Sequence, residues 1–494
     1  MLPAAATPIS WSERHSMPTL APNTGPRLGW ALTLLALAQL IYALDLNIVF
    51  VALPEIGSAL GFPGQTQQLV VSAYVVFAGG FLLFGGRAAD LLGRRRMFLL
   101  ALGLYGISSL AGGLASDPVV IIVARAVQGI GGALLLPSTL SLINTLFEEG
   151  PKRNRALAVW GGAGASGLTI GALLGGVLTE NFGWPAVFFV NVPLTAVVAL
   201  GTLVAIPRDR AGVQRRPFDF PGAVCVTCGS TLLVFALVEG PEMGWGSAAV
   251  LSAFVLSVLL LASFAVVEVR SADPLLPFVM FRNRHLSIGM TVTFIYMATF
   301  GVLPYFLTVL MQNVHGYNAL QTGLAFLVPS VAIAAGTQLG ERMATRFGVR
   351  PTLLLGFGVG AVGTLIMAFG FAATAGYGAL VPGLIVSGVG QGIVWTAMWI
   401  TAATGTPGHE QGVANGIAST ALNLGNAIGL AIFTVVAEFG TDGKSGTALT
   451  VATANGERLV VLLTAAGMVV GLLITLTQTT STPVAPQPDP LQVR

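Results

Sequence analysis

The sequence predicts an all-α, polytopic membrane protein. Of its 494 residues, 54% are hydrophobic and only 9% are charged, whereas about 25% of the residues of an ordinary soluble domain are charged. Apolar runs of about 20 residues recur along almost the whole chain, and a helix of that length crosses the roughly 30 Å of bilayer hydrocarbon. A soluble fold of this composition would lack the polar surface that keeps it in solution.

We predict fourteen membrane-spanning helices, numbered as spans 1 to 14. They cover residues 30–53, 66–86, 96–115, 119–146, 156–178, 185–206, 220–239, 246–268, 287–311, 321–340, 352–372, 378–402, 412–438 and 458–477. The end segments 1–29 and 479–494 are rich in Pro and are predicted to be disordered. The first of them has no apolar core of the kind that signal peptides carry.

Basic residues predict the orientation of the spans, because they follow even-numbered spans. Those after spans 2, 4, 6, 8 and 10 are Arg87, Arg94, Arg95, Arg96, Lys152, Arg153, Arg155, Arg208, Arg210, Arg215, Arg216, Arg270, Arg282, Arg284, Arg342, Arg346 and Arg350. The alternate loops carry only Lys444 and Arg458. By the positive-inside rule both termini are cytoplasmic, in a multi-pass protein of the cytoplasmic (inner) membrane. The formal net charge of +3 therefore reflects topology and does not indicate nucleic-acid binding.

Two loops echo each other across the chain. The loop after span 2 ends in Gly93 followed by Arg94, and the loop after span 10 has Gly348 followed two positions later by Arg350. Secondary transporters are commonly built from such repeated halves. We predict an N-terminal six-helix half at 30–206, two extra helices with linkers at 207–286, and a C-terminal six-helix half at 287–478.

Asp45 in span 1 and Arg125 in span 4 are charges inside apolar runs. An ionised carboxylate at the centre of a membrane helix costs roughly 2.5 to 3.5 kcal/mol. Burial would favour the protonated form of Asp45, and a neighbouring Arg125 would favour the ionised form, so a pair that forms and parts could couple protonation to conformation. The alternatives are an Asp45 that only bonds a neighbouring helix, and an Arg125 held in a static pair or by backbone carbonyls.

Several motifs resemble the major facilitator superfamily, and in combination its fourteen-span drug:proton antiporters. The motifs that resemble this family are Gly86-Arg-Ala-Ala-Asp90-Leu-Leu-Gly93-Arg94-Arg95, Arg125-Ala-Val-Gln128-Gly129, Gly171-Ala172-Leu-Leu-Gly175-Gly176, Leu44-Asp45-x-x-Ile48-Val49, Asn191-Val192-Pro193 and Leu303-Pro304-Tyr305-Phe306-Leu307. The chain departs from the family pattern at Ala172 (usually Pro), Asn47 (usually Thr) and Pro185 (usually Arg).

The resemblance implies a major facilitator fold and assigns three sets of residues. Asp45 and Arg125 would couple protons. A conformational latch would comprise Gly86, Asp90, Gly93, Arg94 and Arg95, although these arginines could also serve only to set topology. Close packing of span 5 would involve Gly167, Gly171, Gly175 and Gly176, because small residues let membrane helices approach closely.

Aromatic and amide side chains are the candidates for substrate binding. They are Gln128, Tyr296, Tyr305, Trp395, Trp399 and Asn423. Aromatic faces with few polar groups suit amphipathic aromatic compounds, cations included. The alternative for each is a lipid-facing or interfacial side chain.

Cys225 and Cys228 form the only C-x-x-C of the chain. A metal site would need about four ligands, and the four histidines are scattered over loops and ends. We therefore interpret the cysteines as two small residues of span 7 and expect neither a metal nor a cofactor.

Three functional hypotheses follow. The first is an exporter of amphipathic drugs or antibiotics, acting as a monomer and driven by the proton gradient through alternating access. The second is a transporter of the same superfamily for one metabolite or lipid. The third, a membrane enzyme or sensor, would require clustered reactive side chains or a large soluble domain, and the sequence has neither.

Overall fold

The computed structural model describes residues 26–62, 69–209, 219–271, 274–276, 278–404, 406, 410–441 and 443–477, and these residues form helices and connecting loops without a strand. The helices are α1 (Pro26–Ala59), α2 (Leu69–Gly80), α3 (Leu82–Leu92), α4 (Arg94–Gly113), α5 (Pro118–Leu146), α6 (Pro151–Phe182), α7 (Ala186–Phe189), α8 (Asn191–Ala205), α9 (Phe220–Met243), α10 (Ala248–Arg270), α11 (Arg284–Thr299), α12 (Leu303–Val309), α13 (Ala319–Ala325), α14 (Leu327–Phe347), α15 (Val349–Ala368), α16 (Tyr377–Ala403), α17 (Gln411–Glu438) and α18 (Gly446–Leu476).

Every predicted span coincides with one of these helices or with a consecutive pair. Among the described residues, twelve helices are long and apolar enough to cross a membrane, or thirteen when α2 and α3 count as one bent span. Span 5 lies in α6, and residues 66–68 of span 2 lie outside the described residues. The all-α membrane fold is confirmed, whereas the number fourteen is not confirmed by this count.

Two helices, α1 and α18, begin earlier than predicted. Helix α1 begins at Pro26, so residues 26–29 are helical and not disordered as predicted; the rest of 1–29 and the segment 479–494 lie outside the described residues. Helix α18 begins at Gly446, twelve residues before the predicted start of span 14. The polar segment 446–457 lacks the apolar run that marks a span, although it continues the same helix.

Local sequence explains the main breaks in the helices. Helix α5 begins after Asp117, whose side chain accepts hydrogen bonds from the backbone N–H groups of Val119 and Val120. Gly93, with a φ of +103°, separates α3 from α4, because this left-handed backbone region favours glycine. The Gly79-Gly80 pair precedes the 50° bend between α2 and α3, as is common at kinks.

Two groups of helices, α1–α8 and α11–α18, form the halves of the molecule, and α9 and α10 lie on one flank. Helix α9 packs against α2, where Ser230 Oγ donates to the carbonyl of Gly80 at 2.8 Å, and α10 packs mainly on α9. The halves meet chiefly where α6 contacts α14 and α16, and where α17 contacts α3 and α5. The domain boundaries proposed from sequence fall near helix ends, and they remain predictions.

Candidate functional site

Asp45 lies in the interior of the N-terminal half with no solvent exposure. Its Oδ2 accepts a hydrogen bond from Arg125 Nη1 at 2.6 Å, and its Oδ1 accepts bonds from Gln128 Nε2 at 2.9 Å and Asn191 Nδ2 at 2.8 Å. The carboxylate of α1 is thus held by donors from α5 and α8. These donors satisfy both oxygens of the carboxylate in a place where water is excluded.

Arg125 is also enclosed, with 1% of its surface exposed. Its Nε donates to the carbonyl of Val70 at 3.0 Å, and its Nη1 also donates to Gln128 Oε1 at 2.8 Å. The guanidinium carbon lies 4.3 Å from the centre of the Tyr74 ring, a cation–π distance. Arg125 therefore bridges α1, α2 and α5, and it combines two sequence alternatives, a carboxylate partner and a backbone carbonyl.

A glycine ladder on α6 brings α1 close enough to position Asp45. A methyl group on Gly167 would lie 2.6 Å from the carbonyl oxygen of Leu40, and one on Gly175 would lie 2.8 Å from that of Ile48. Gly171 meets the carbonyl of Leu44, the residue before Asp45, in the same way.

Gly176 does not join this ladder. A methyl group there would meet no heavy atom within 4 Å among the residues that the structure describes, so the predicted packing role of Gly176 is not seen. The other three glycines are spaced four residues apart and share one face of α6, whereas Gly176 is turned about 100° away.

Asp90 connects the two halves. Its carboxylate accepts hydrogen bonds from the backbone N–H groups of Gly412 at 3.0 Å and Val413 at 2.9 Å, at the first turn of α17, and from Arg94 Nη2 at 3.1 Å. A carboxylate is stabilised at a helix N-terminus by the unpaired N–H groups and the helix dipole. The backbones of Gly86 and Gly412 touch beside this contact.

Gly93 and Arg95 are organised by Asp209 rather than by the other half. Asp209 accepts hydrogen bonds from the backbone N–H groups of Arg95 at 3.1 Å and Arg96 at 3.0 Å, at the start of α4. The Arg95 side chain donates to the carbonyl of Leu203 at 2.8 Å. Asp90 and Gly86 thus contact the C-terminal half, whereas these contacts of Arg95 lie within the N-terminal half.

Further polar contacts join the halves on the same side as Asp90. Asn144 Nδ2 donates to Gln411 Oε1 at 3.0 Å, and Asn154 Nδ2 donates to Thr345 Oγ1 at 3.0 Å. We call this side the basic face, because it carries Arg94, Lys152 and Arg342. The halves are closed against each other at the basic face.

Aromatic residues form a second constellation between the halves. Trp160 of α6 stacks on Trp395 with ring centroids 6.0 Å apart, and it meets Trp399 edge to face at 5.7 Å. The Tyr296 ring lies 5.5 Å from that of Trp395. We call Trp160, Trp395 and Trp399 the indole cluster.

The remaining substrate candidates lie elsewhere. Gln128 belongs to the Asp45 site. Tyr305 is 47% exposed, with its ring next to Phe306. Asn423 donates to the carbonyl of Ser419 on its own helix at 3.0 Å. The structure therefore brings together only Tyr296, Trp395 and Trp399 from the six candidates.

Residues at these sites that the sequence-based assignment missed include Asn191, Ser109, Asp209 and Trp160. Ser109 Oγ accepts from Gln128 Nε2 at 2.9 Å and completes the Asp45 site. Only Asn191 carried a signal, because it begins the Asn-Val-Pro motif.

A bundle of many apolar helices that encloses an ion pair and is built of two halves closed against each other has the architecture of a secondary transporter. The family model described as "Major Facilitator Superfamily" matches residues 35–430. The chain belongs to the major facilitator superfamily.

Relatives in this family include proteins named for antibiotic export and resistance. The "Cephamycin export protein CmcT" of Amycolatopsis lactamdurans is 36% identical over 84% of this chain and 86% of its own. The "Puromycin resistance protein pur8" of Streptomyces alboniger is 36% identical over 83% of this chain and 82% of its own. The solved structure of the human organic anion transporter MFSD10 (TETRAN) shares the fold, with a TM-score of 0.65 at 16% identity over 91% of this chain and 100% of that one.

Proposed function

We propose that the protein exports amphipathic drugs or antibiotics across the cytoplasmic membrane in exchange for protons, by alternating access of its two halves. The relatives named for cephamycin export and puromycin resistance support the substrate class. The observation that carries the proton coupling is the Asp45 carboxylate, buried and paired with Arg125 at 2.6 Å.

The pair can exist in two states with different proton occupancy. While Arg125, Gln128 and Asn191 donate to it, the Asp45 carboxylate is stabilised as an anion. A helix movement that withdraws Arg125 leaves a carboxylate in an apolar site, where the protonated form is favoured. A proton taken up on the outer side would part the pair, and its release toward the cytoplasm would require that the pair forms again in the state open to the cytoplasm.

The driving force is sufficient for one proton per neutral substrate. One charge crossing about 100 mV supplies about 2.3 kcal/mol, and one pH unit supplies about 1.4 kcal/mol. Together they support a concentration ratio of several hundredfold, at about 1.4 kcal/mol per factor of ten.

In this proposal the basic face is cytoplasmic, with both termini on that side, and the closed contacts of Asp90 and Asn154 belong to a state sealed against the cytoplasm. The transporter works as a monomer. It needs no cofactor or enzymatic step, because the proton gradient supplies the energy.

Reconstitution in liposomes tests the function directly. With an imposed pH gradient, movement of a fluorescent aromatic dye and lumenal pH are recorded together, for wild type and Asp45→Asn. We expect dye movement with proton counterflow in wild type and loss of both in Asp45→Asn. Dye movement independent of protons, or an unimpaired variant, would remove Asp45 from the mechanism, and no dye movement would favour a single-metabolite or lipid transporter.

A further inference from the structure

The indole cluster has unused hydrogen-bonding capacity. The Nε1–H groups of Trp160, Trp395 and Trp399 are all buried, and none of them has a hydrogen-bond partner in the part of the chain that the structure describes. Trp160 has no exposed surface and Trp399 has 2%. A buried Trp N–H usually finds a partner, so three unpaired donors in one cluster indicate that another state of the protein satisfies them.

The cluster lies across the interface that alternating access would open. Trp160 belongs to the N-terminal half, and Trp395 and Trp399 belong to the C-terminal half. The Trp395 indole rests on the backbone of α6, where a methyl group on Gly161 would lie 2.5 Å from its Nε1. Movement of α6 away from α16 would therefore uncover the Trp395 N–H and separate the Trp160 ring from the other two.

The chemistry of the cluster defines what it can bind. An indole N–H donates and cannot accept, so its partner must be an acceptor such as a carbonyl or carboxylate oxygen. Indole faces, and the Tyr296 ring beside them, favour flat aromatic rings. The four side chains include no carboxylate, and their three indole N–H groups present donors, which a carbonyl or carboxylate oxygen can accept and an ammonium group cannot.

A basic cavity lies on the basic face of the same interface. It has a volume of about 540 Å³ between α6 and α14 and is lined by Pro151, Lys152, Arg155, Gln338, Glu341 and Arg342. Lys152 also pairs with Glu148 at 3.2 Å, and positive charge remains in excess. Arg155 precedes Trp160 by five residues, about 8 Å along the helix, and a positive cavity concentrates anions.

We propose that the indole cluster is the substrate site in its closed form, and that it selects flat aromatic compounds with carbonyl or carboxylate oxygens, neutral or anionic, over aromatic cations. This inference rests on the proposed export function and narrows its substrate class. In the closed state the rings stack on one another; in the open state the substrate ring replaces these contacts and its oxygens accept from the indoles.

Binding of two matched probes tests the selection. The full-length protein in lipid nanodiscs is titrated with anthracene-9-carboxylate and with 9-(aminomethyl)anthracene, using the fluorescence anisotropy of the anthracene and empty nanodiscs as the baseline. We expect the carboxylate to bind at least about tenfold more tightly than the ammonium compound, a difference of about 1.4 kcal/mol.

The role of the N–H groups is tested by replacing each tryptophan of the cluster with 3-benzothienylalanine, which keeps the ring shape and lacks the N–H. Affinity for the carboxylate should fall at least about tenfold at each position, as expected for loss of a hydrogen bond to a charged group. The same replacement at Trp184, which is buried against Phe188 outside the cluster, should leave affinity unchanged.

Equal or tighter binding of the ammonium compound, or unchanged affinity in all three replacements, would overturn the inference. The liposome assay separates this from the export function. Proton-driven dye movement with the reverse order of probe affinities would overturn only the substrate selection. Lack of proton-driven movement with the expected order would overturn only the export.

Discussion

Asp45 and Arg125, 80 residues apart in the chain, form an ion pair of 2.6 Å with at most 1% of either side chain exposed. Their charges balance each other in an environment where neither could remain alone, because an unpaired buried charge is strongly unfavourable. The pair is therefore a structural contact between α1 and α5, and it is also the proposed proton-binding site. These two roles predict different responses to mutation.

Single substitutions in the pair should destabilise the protein more than a double substitution. Asp45→Asn leaves the Arg125 charge unpaired and Arg125→Gln leaves the carboxylate unpaired, each costing about 3 to 5 kcal/mol. The double variant buries two neutral groups and should recover most of this loss while remaining inactive in proton-coupled transport. Thermal unfolding in detergent measures the first effect and the liposome assay the second.

A double variant as unstable as the sum of the two singles would show that the pair contributes no coupling energy. A double variant that still exchanges protons for dye would separate Asp45 from the transport mechanism altogether.

Asn191 should stabilise the Asp45 site. Its Nδ2 donates to Asp45 Oδ1 at 2.8 Å, a hydrogen bond to a buried charged group. Asn191→Leu removes this donor, so the protein should lose about 1.5 to 3 kcal/mol of stability. Thermal unfolding in detergent measures the loss.

Asn181→Leu is the matched control, because Asn181 Nδ2 donates to the carbonyl of Val177 on its own helix at an exposed position, and its replacement should change stability by at most about 0.5 kcal/mol. An equal loss of stability in the two variants would contradict the assigned role.

The sequence predicted the pairing of Asp45 with Arg125 because both interrupt apolar runs, where a charge needs a partner. It could not predict Asn191 and Ser109 as their neighbours, since these residues lie on helices whose arrangement around α1 depends on tertiary packing. Asp209 was missed for a similar reason: it follows α8 among basic residues, and only the fold places it at the start of α4.

The sequence predicted two of the three tryptophans of the indole cluster. Trp395 and Trp399 were candidates because they lie in the C-terminal half with Tyr296, whereas Trp160 was overlooked in a glycine-rich helix interpreted as packing only. Tyr305 shows the opposite error, since aromatic identity does not reveal whether a side chain of a membrane helix faces the protein or the exterior.

Gly171 and Gly176 provide a matched test of helix packing. In Gly171→Ala the added methyl group would collide with the carbonyl of Leu44, so α1 and α6 must separate at a cost of about 1 to 3 kcal/mol. Gly176→Ala meets open space and should be neutral or stabilise the helix by up to about 1 kcal/mol. Thermal unfolding of both variants measures the two changes in stability. Equal changes would refute the packing role of the glycine ladder.

Asp90 should hold the basic face closed, because its carboxylate caps α17 from the other half. Asp90→Asn loses the charge and replaces one acceptor oxygen with a donor, so the closed state should lose about 1 kcal/mol, or roughly fivefold in population. Closure can be measured by disulfide formation between Asn154→Cys and Thr345→Cys, whose native side chains meet at 3.0 Å across the halves, with Cys225 and Cys228 replaced by Ser.

Asp117→Asn is the control, because Asp117 caps α5 in the same manner within one half. Cross-linking should slow about fivefold in Asp90→Asn and stay unchanged in Asp117→Asn; equal rates in the two variants would mean that Asp90 only shapes the local loop.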